Sequence, residues 1–181
     1  MKLDPTGWLQ GARIVPTANH DARPDNELPS LIVIHNISLP PGEFSGHAVE
    51  HLFTNQLDWD AHPYYQNIRG LRVSSHFFIR RDGELIQFVP CTQRAWHAGA
   101  SQWQGREKCN DFSIGIELEG TDDLPFTQAQ YACLNTLLNT LRAAYPIQAI
   151  VGHSDIAPGR KTDPGPHFDW SHVSFRRNSG E

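Results

Sequence analysis

The residues best suited to chemistry lie in one stretch near the C-terminus, residues 152–166. His153 offers an imidazole nitrogen there, Asp163 offers a carboxylate oxygen, and Lys161 adds a cation between them. Both ligand types suit Zn²⁺, at about 2.0–2.2 Å. Proline and glycine recur through the stretch, so we expect a rigid loop without regular helix or strand. The alternative is a proline-rich surface loop with incidental polar residues.

A second histidine follows a predicted buried strand. Residues 31–34 form an uninterrupted apolar run, typical of a strand buried on both faces, and His35 and Asn36 follow at its C-terminal end. Ligands of α/β folds collect at such strand ends. Residues 147–153 predict a last strand that also ends in a histidine. For His35 the alternative is a core histidine bonded to a backbone carbonyl.

Together, His35, His153 and Asp163 would supply two imidazoles and one carboxylate, leaving one position open for water. Three protein ligands with an open position are typical of catalytic zinc, whereas structural zinc fills all four. Asp155 competes for the third ligand position, and sequence spacing does not choose between the two acids. Asp155 would otherwise orient one of the imidazole rings.

A different metal motif is present in residues 47–51, which read His-Ala-Val-Glu-His. Inverted zinc peptidases use this H-x-x-E-H pattern, in which two histidines share a helix face. No later helix here offers a compelling third carboxylate, and the predicted helix is short and polar. We therefore expect a solvated helix face.

Residues 113–119 alternate in the manner of a strand, with Ile114, Ile116 and Leu118 on one face and Glu117 on the other. A buried carboxylate costs much free energy unless it is paired or functional. Glu117 is therefore predicted to lie either at a sheet edge or in a site.

The remaining patterns predict the fold. Residues 72–79 and 84–89 flank an Asp-Gly turn and predict a hairpin. Thr127 and Gln130 form a capping box before a long amphipathic helix that runs to Tyr145. We predict a single α/β domain, residues 1–181, with a central mixed β-sheet flanked by helices. Residues 1–30 are predicted to be an irregular N-terminal arm and residues 166–181 a C-terminal tail.

Composition excludes several classes of protein. The 181 residues suffice for one domain with its own core, and the 39% hydrophobic and 19% charged fractions are typical of a soluble globular protein. No apolar run approaches the ~20 residues of a membrane span. The net charge of −5 argues against a nucleic-acid partner. The N-terminus lacks a signal-peptide core, and three separated cysteines suit reduced thiols, so we expect a cytoplasmic protein.

Several segments, taken in order along the chain, resemble the zinc amidase and peptidoglycan-recognition superfamily. Within it, the chain is most similar to the cytoplasmic bacterial 1,6-anhydro-N-acetylmuramyl-L-alanine amidases of the AmpD type. The segments are VIHNISLPPG at 33–42, RRDG at 80–83, RAWHAG at 94–99, NDFSIGIELEG at 110–120 and RKTDPG at 160–165.

The resemblance implies one zinc per chain, held by His35, His153 and Asp163, with Glu117 and Lys161 as the catalytic pair. Glu117 would transfer protons and Lys161 would stabilise the oxyanion. The substrate would be an anhydro-muropeptide, cleaved between anhydro-muramic acid and L-alanine in cell-wall recycling. The protein would act as a monomer, with no nucleic-acid or membrane partner.

The resemblance also implies a set of substrate-binding residues: Asn36, Arg72, Trp96, His97, Ala98 and Lys108. Lys108 stands where the family usually has arginine, which replaces a bidentate contact by a point charge. Because recognition members of the superfamily keep the fold without hydrolysis, a non-catalytic peptidoglycan-binding module is the alternative function. Such modules tend to lack a complete ligand set.

Overall fold

The computed structural model describes residues 1–174; residues 175–181, which include the far end of the predicted tail, lie outside the described residues. The helices are α1 (Ala48–Phe53), α2 (Gln128–Ala144) and α3 (His153–Ile156), with 3₁₀ turns at Pro24–Asn26, Pro63–Ile68, Cys109–Asp111 and Trp170–His172. The strands are β1 (Lys2–Leu3), β2 (Leu9–Gln10), β3 (Arg13–Ile14), β4 (His20–Ala22), β5 (Leu31–Ile37), β6 (Phe77–Ile79), β7 (Leu85–Gln87), β8 (Gln93–Ala95), β9 (Gln102–Trp103), β10 (Arg106–Glu107), β11 (Ser113–Glu119) and β12 (Ala149–Gly152).

A six-stranded sheet organises the molecule, in the order β12-β5-β11-β6-β7-β3. Strands β12, β5, β11 and β6 are parallel, whereas β6 and β7 are antiparallel. The predicted α/β class with a central mixed sheet is therefore confirmed. The apolar run of β5 is buried on both faces, as expected of a strand inside a parallel sheet.

Helices cover both faces of this sheet. On one face, α2 packs Leu134, Leu138 and Leu141 against the β11 side chains Ile114 and Ile116. The predicted capping box is present, because Thr127 accepts from the Gln130 amide and the Gln130 side chain accepts from the Thr127 amide. The opposite face is covered by α1, in a second core that includes Phe53, Phe78 and Ile86.

The parallel register brings three sequence-distant side chains to one edge of the sheet. Glu117 of β11 lies opposite His35 of β5, and Gly152 of β12 lies opposite Ile34. His153 therefore lies just beyond the same edge. It is the first residue of α3 and does not end a strand as predicted. Because the carboxyl ends of parallel strands meet at one edge, all three residues can share a site.

The predicted hairpin is present, with shorter strands than the sequence indicated. Strands β6 and β7 pair over three residues each, and the turn closes through the Arg80 amide, which donates to the Glu84 carbonyl at 3.0 Å. Gly83 has φ +89°, a conformation that favours glycine. This turn packs against the start of α2 and so holds the sheet and the helix together.

The expectation of an irregular arm in residues 1–30 is corrected by four short strands, β1 to β4. β3 joins the sheet edge beside β7, and β4 pairs with β8. Strands of two or three residues have no detectable hydrophobic period. β3 and β4 form where the chain runs beside β7 and β8, whereas β1 and β2 pair with each other. Among the helices of residues 1–174, none has the length and apolarity that crossing a bilayer requires.

Candidate metal centre and active site

Three polar side chains converge at the carboxyl edge of the sheet. The Nδ1 atoms of His35 and His153 lie 3.0 Å apart, and each lies close to Oδ2 of Asp163, at 3.0 and 3.1 Å respectively. Within residues 1–174, this is the one group of three or more histidine, cysteine or acidic residues spaced to hold a metal ion. The structure thus brings together the three predicted ligands.

The loop that carries Asp163 is held against the end of β12. The Ser154 amide donates to the Asp163 carbonyl at 3.0 Å. A Cβ on Gly152 would lie 2.8 Å from a ring carbon of Pro164, so this close approach requires glycine. The expectation of no regular helix in residues 152–166 is wrong for residues 153–156, which form α3. Proline and glycine return only from residue 158, and so leave one helical turn free to form.

Asp155, the rival third ligand, uses its carboxylate at the start of α3. Its Oδ2 accepts a hydrogen bond from the Gly152 amide at 2.7 Å and so caps α3. Its carboxylate is not part of the three-residue cluster. The geometry therefore favours Asp163 over Asp155 as the carboxylate ligand.

Both rings have a protein partner at Nε2, while both Nδ1 atoms face Asp163. Nε2 of His153 lies 3.0 Å from the carbonyl oxygen of Ala98, which can only accept, so the proton of a neutral ring lies on Nε2. Nε2 of His35 lies 2.9 Å from Nδ1 of His97. Burial lowers the pKa of His35 to about 4, which keeps its ring neutral at pH 7.

Asp163 supplies the negative charge of the cluster. Burial raises the pKa of this carboxyl, but the adjacent imidazole nitrogens of His153 and His35 outweigh burial and hold the pKa well below its usual range. Two nitrogen lone pairs and a carboxylate oxygen aimed at one point are a donor set that a cation would satisfy. Two imidazoles with one carboxylate suit zinc and leave a coordination position open.

Glu117 lies beside this cluster as a buried, unpartnered carboxylate. The residue is 8% exposed, and its Oε2 has no hydrogen-bond partner. Burial, together with the negative charge of Asp163, raises the pKa of Glu117 well above its usual value, while Lys161 opposes the rise. Because β11 lies between β5 and β6, it is not an edge strand. The alternative that Glu117 lies on an edge strand of the sheet is therefore excluded.

A cavity of about 500 Å³ opens over the cluster, with Lys161, itself exposed, on its wall. Its lining includes the cluster residues and Glu117, together with apolar side chains such as Leu39, Ile68, Leu71 and Val73. A cavity with an apolar wall and a few convergent polar groups is typical of a small-molecule site.

Three of the predicted substrate-binding residues, Asn36, Trp96 and His97, line this cavity. The Asn36 amide nitrogen donates to Asp122 at 2.7 Å and to the Pro164 carbonyl at 3.1 Å, which leaves its oxygen as the available acceptor. Trp96 is half-buried.

The other three predicted substrate-binding residues are outside the cavity wall. Arg72 is exposed, between two residues that do line the cavity, and Lys108 is exposed in a left-handed turn with φ +58°. Ala98 is fully buried, with its carbonyl bonded to His153 and Arg160. Substrate contact by these residues stays a prediction, and for Ala98 the observed role is to hold the ring of His153.

Two further charged residues on the cavity wall, Asp122 and Arg160, were not singled out from the sequence. Arg160 donates to the carbonyls of Ala98 and Ala100, at 2.8 and 2.6 Å. Its place in the proline-rich loop was a usable signal. Asp122 follows β11 in a polar turn and carried no such signal.

The H-x-x-E-H segment forms the N-cap and first four residues of α1, and it is not a group spaced to hold a metal ion. Glu50 is bound by two arginines: Arg13 donates to both carboxylate oxygens at 2.9 Å, and Arg80 donates at 2.7 Å. Burial raises the pKa of Glu50, but the hydrogen bonds from these arginines and from His47 outweigh it and lower the pKa to about 2. Because Glu50 is bound by arginines, it is not available as the acidic residue that the inverted-peptidase alternative requires.

The comparisons with known proteins agree with this geometry. A family model described as N-acetylmuramoyl-L-alanine amidase matches residues 24–166. The 1,6-anhydro-N-acetylmuramyl-L-alanine amidase AmpD of Salmonella typhimurium (strain SL1344) is 61% identical over 170 residues, which cover 93% of this chain and 91% of that protein.

Two solved structures extend the comparison. The crystal structure of a Se-Met AmpD derivative is 60% identical, with a TM-score of 0.93 over 95% of this chain and 97% of that one. The amidase AmiD from E. coli, in complex with the substrate anhydro-N-acetylmuramic acid-L-Ala-D-gamma-Glu-L-Lys, is 32% identical, with a TM-score of 0.56 over 80% of this chain and 55% of that one. The resemblance drawn from the sequence is thereby confirmed: the chain belongs to the N-acetylmuramoyl-L-alanine amidase family, among its members of the AmpD type.

Proposed function

We propose that this protein is a zinc-dependent amidase that hydrolyses the bond between the lactyl group of 1,6-anhydro-N-acetylmuramic acid and L-alanine of the stem peptide, in muropeptide recycling. The observation that carries the proposal is the convergence of His35, His153 and Asp163 beside the unpartnered carboxylate of Glu117. The names of the relatives support the substrate class.

His35, His153 and Asp163 would hold one zinc ion per chain. When bound, zinc supplies Lewis acidity, which polarises the scissile carbonyl and lowers the pKa of water towards 7. The protein's own contribution would be to present two imidazole Nδ1 atoms and an ionised carboxylate to the ion. The hydrogen bonds behind each ring and the rigid loop around Asp163 supply this arrangement.

Glu117 is the general base and then the general acid. Its raised pKa makes it a stronger base than an exposed carboxylate, which favours transfer of a proton from the attacking water. It then gives that proton to the amine of L-alanine as the carbon–nitrogen bond breaks. The products are the lactyl carboxylate and the free amino terminus of the peptide, so the proton returns to the leaving group.

Lys161 stabilises the oxyanion that forms on the scissile carbonyl. Its side chain is exposed on the cavity wall, where a substrate carbonyl has access to it. An ammonium group aimed at a developing negative charge strengthens its interaction in the transition state.

The rest of the cavity recognises the substrate. Its apolar wall and Trp96 offer a surface for the anhydro-sugar ring, and the free oxygen of Asn36 offers an acceptor for an amide N–H. Arg72 and Lys108 would act on the peptide part outside the cavity wall. The protein works as a monomer in the bacterial cytoplasm, without nucleic-acid or membrane partners; the net charge of −5 supports the absence of nucleic acid.

The experiment that tests this function combines metal analysis with turnover of two substrates. We expect one zinc per chain and faster cleavage of an anhydro-muropeptide than of the corresponding reducing muropeptide. Equal rates on both would contradict the recycling assignment. Turnover without zinc would contradict the metal assignment, and zinc without turnover would favour the non-catalytic binding module.

A further inference from the structure

His97 lies behind the metal cluster with both ring nitrogens engaged by the protein. Its Nδ1 faces Nε2 of His35 at 2.9 Å, and its Nε2 faces the hydroxyl oxygen of Ser113 at 3.1 Å. The residue is only 9% exposed. Its polar atoms are therefore directed at other side chains, and neither nitrogen is left for a substrate.

The His35 ring has two competing acceptors for its single proton. Asp163 Oδ2 lies 3.0 Å from Nδ1, while His97 lies behind Nε2. A proton on Nδ1 would block metal binding, because coordination needs the lone pair on that atom. An acceptor at Nε2 selects the other tautomer, which leaves Nδ1 free.

Neighbouring groups hold His97 in place. A Cβ on Gly115 would lie 2.5 Å from a carbon of the His97 ring, so the ring occupies space that only glycine leaves open. The amides of His97 and Ala98 both donate to Oδ1 of Asn110, at 3.1 and 2.8 Å. Because successive strand residues alternate, Ser113, Gly115 and Glu117 lie on the same face of β11.

We propose that His97 is a positioning residue of the metal centre: it accepts the Nε2 proton of His35 and so keeps Nδ1 of His35 free for zinc, while Ser113 and Gly115 fix its ring. This inference rests on the proposed zinc function. It assigns a role to His97 that differs from direct substrate binding. It also gives Ser113 and Gly115 a role, because the serine hydroxyl contacts the His97 ring and the glycine leaves space for it.

Two amide substitutions separate the hydrogen bond from the packing of the ring. The asparagine side-chain oxygen is as many bonds from Cβ as Nδ1 of histidine, so His97→Asn keeps an acceptor for His35. The glutamine amide reaches the position of Nε2, so His97→Gln keeps a partner for Ser113 and removes the acceptor for His35. A third variant, His97→Phe, keeps an aromatic ring and removes both nitrogens.

The measurement is zinc affinity, by competition between the holoprotein and a chelator of known affinity. Loss of a partner behind a metal-bound histidine costs about 10- to 100-fold in metal affinity. We expect that loss in His97→Gln and His97→Phe, and affinity within a few-fold of wild type in His97→Asn. Equal weakening in the Asn and Gln variants, or wild-type affinity in His97→Gln, would overturn the proposal.

A matched serine pair tests the far end of the same arrangement and remains available if a His97 variant does not fold. Ser113 and Ser75 are both fully buried, but the Ser75 hydroxyl has no hydrogen-bond partner. We expect Ser113→Ala to weaken zinc binding several-fold and Ser75→Ala to leave it unchanged. Equal affinities in the two serine variants would contradict the proposed role of Ser113. Failure of the wild-type protein to bind zinc would instead contradict the proposed function itself.

Discussion

Two regions of this protein carry paired histidines and a carboxylate, and only one of them resembles a metal site in the structure. At the carboxyl ends of the parallel strands, the side chains of His35 and His153 are 2% and 5% exposed, and their Nδ1 atoms lie 3.0 and 3.1 Å from Oδ2 of Asp163. At the N-terminus of α1, the side chain of the N-cap residue His47 is 68% exposed, and Glu50 is bound by two arginines.

The difference between these regions is whether the donor atoms are already used. Each imidazole at the sheet edge is held from behind through Nε2, which leaves Nδ1 for a metal. The Glu50 oxygens instead accept guanidinium hydrogen bonds and serve to connect α1 to β3 and to the β6–β7 turn. A sequence motif supplies ligand types, and the partners behind those ligands decide whether their lone pairs are available.

The largest effect on catalysis should come from Glu117→Gln. The substitution keeps the size of the side chain and removes its ability to take a proton. We expect zinc content to stay at the wild-type level while hydrolysis falls to near background, as measured by product release at saturating muropeptide. Loss of zinc in this variant would make Glu117 a ligand and remove it from the role of base.

Lys161→Ala should have the next largest effect. Loss of a donor to the transition state usually costs about 10²- to 10³-fold in kcat. We expect that loss with zinc retained, measured by steady-state kinetics alongside metal analysis. Wild-type kcat in Lys161→Ala would contradict the oxyanion role.

In the α1 region, substitution of Glu50 should affect stability more than catalysis. Glu50→Ala removes hydrogen bonds from Arg13 and Arg80, and we expect the free energy of unfolding at pH 7 to fall by about 2 kcal/mol. Folding lowers the pKa of Glu50 from 4.5 to about 2, so its stabilising contribution is present above pH 4.5 and is lost as pH falls towards 2.

Denaturant unfolding of wild type and Glu50→Ala at pH 7 and pH 3 measures this contribution. The difference between the two proteins should be smaller at pH 3. A Glu50→Ala protein that is as stable as wild type at pH 7, or that loses its zinc, would break the contrast between the two regions.

The smallest effect should come from the double substitution His47→Ala with His51→Ala. Both side chains are largely solvent-exposed, and neither belongs to the metal cluster. We expect zinc content and turnover close to those of wild type. A variant that loses zinc would restore the inverted-peptidase alternative.

Much of the fold could be predicted because local patterns carried it. The apolar run of β5, the Asp-Gly turn and the capping box of α2 each follow from neighbouring residues. The strands of residues 1–30 could not be predicted in the same way, since each has only two or three residues and β3 and β4 pair with strands far along the chain.

The candidate site likewise has residues that could be predicted from the sequence and contacts that could not. The three ligands and Glu117 were identified from residue type, strand position and family resemblance. The hydrogen bond between His97 and His35 joins residues 62 positions apart, and no local pattern indicates it. The role of Glu50 was also hidden, because its partner Arg13 lies in the segment expected to be an irregular arm.

The most direct test is zinc content per chain in Asp163→Ala, with Asp155→Ala as the matched control. Both substitutions remove an aspartate from the segment 152–166, but only Asp163 belongs to the cluster. We expect Asp155→Ala to keep one zinc and most of its turnover, and Asp163→Ala to lose both. A zinc-loaded, fully active Asp163→Ala protein would contradict the assignment of this cluster as the metal centre.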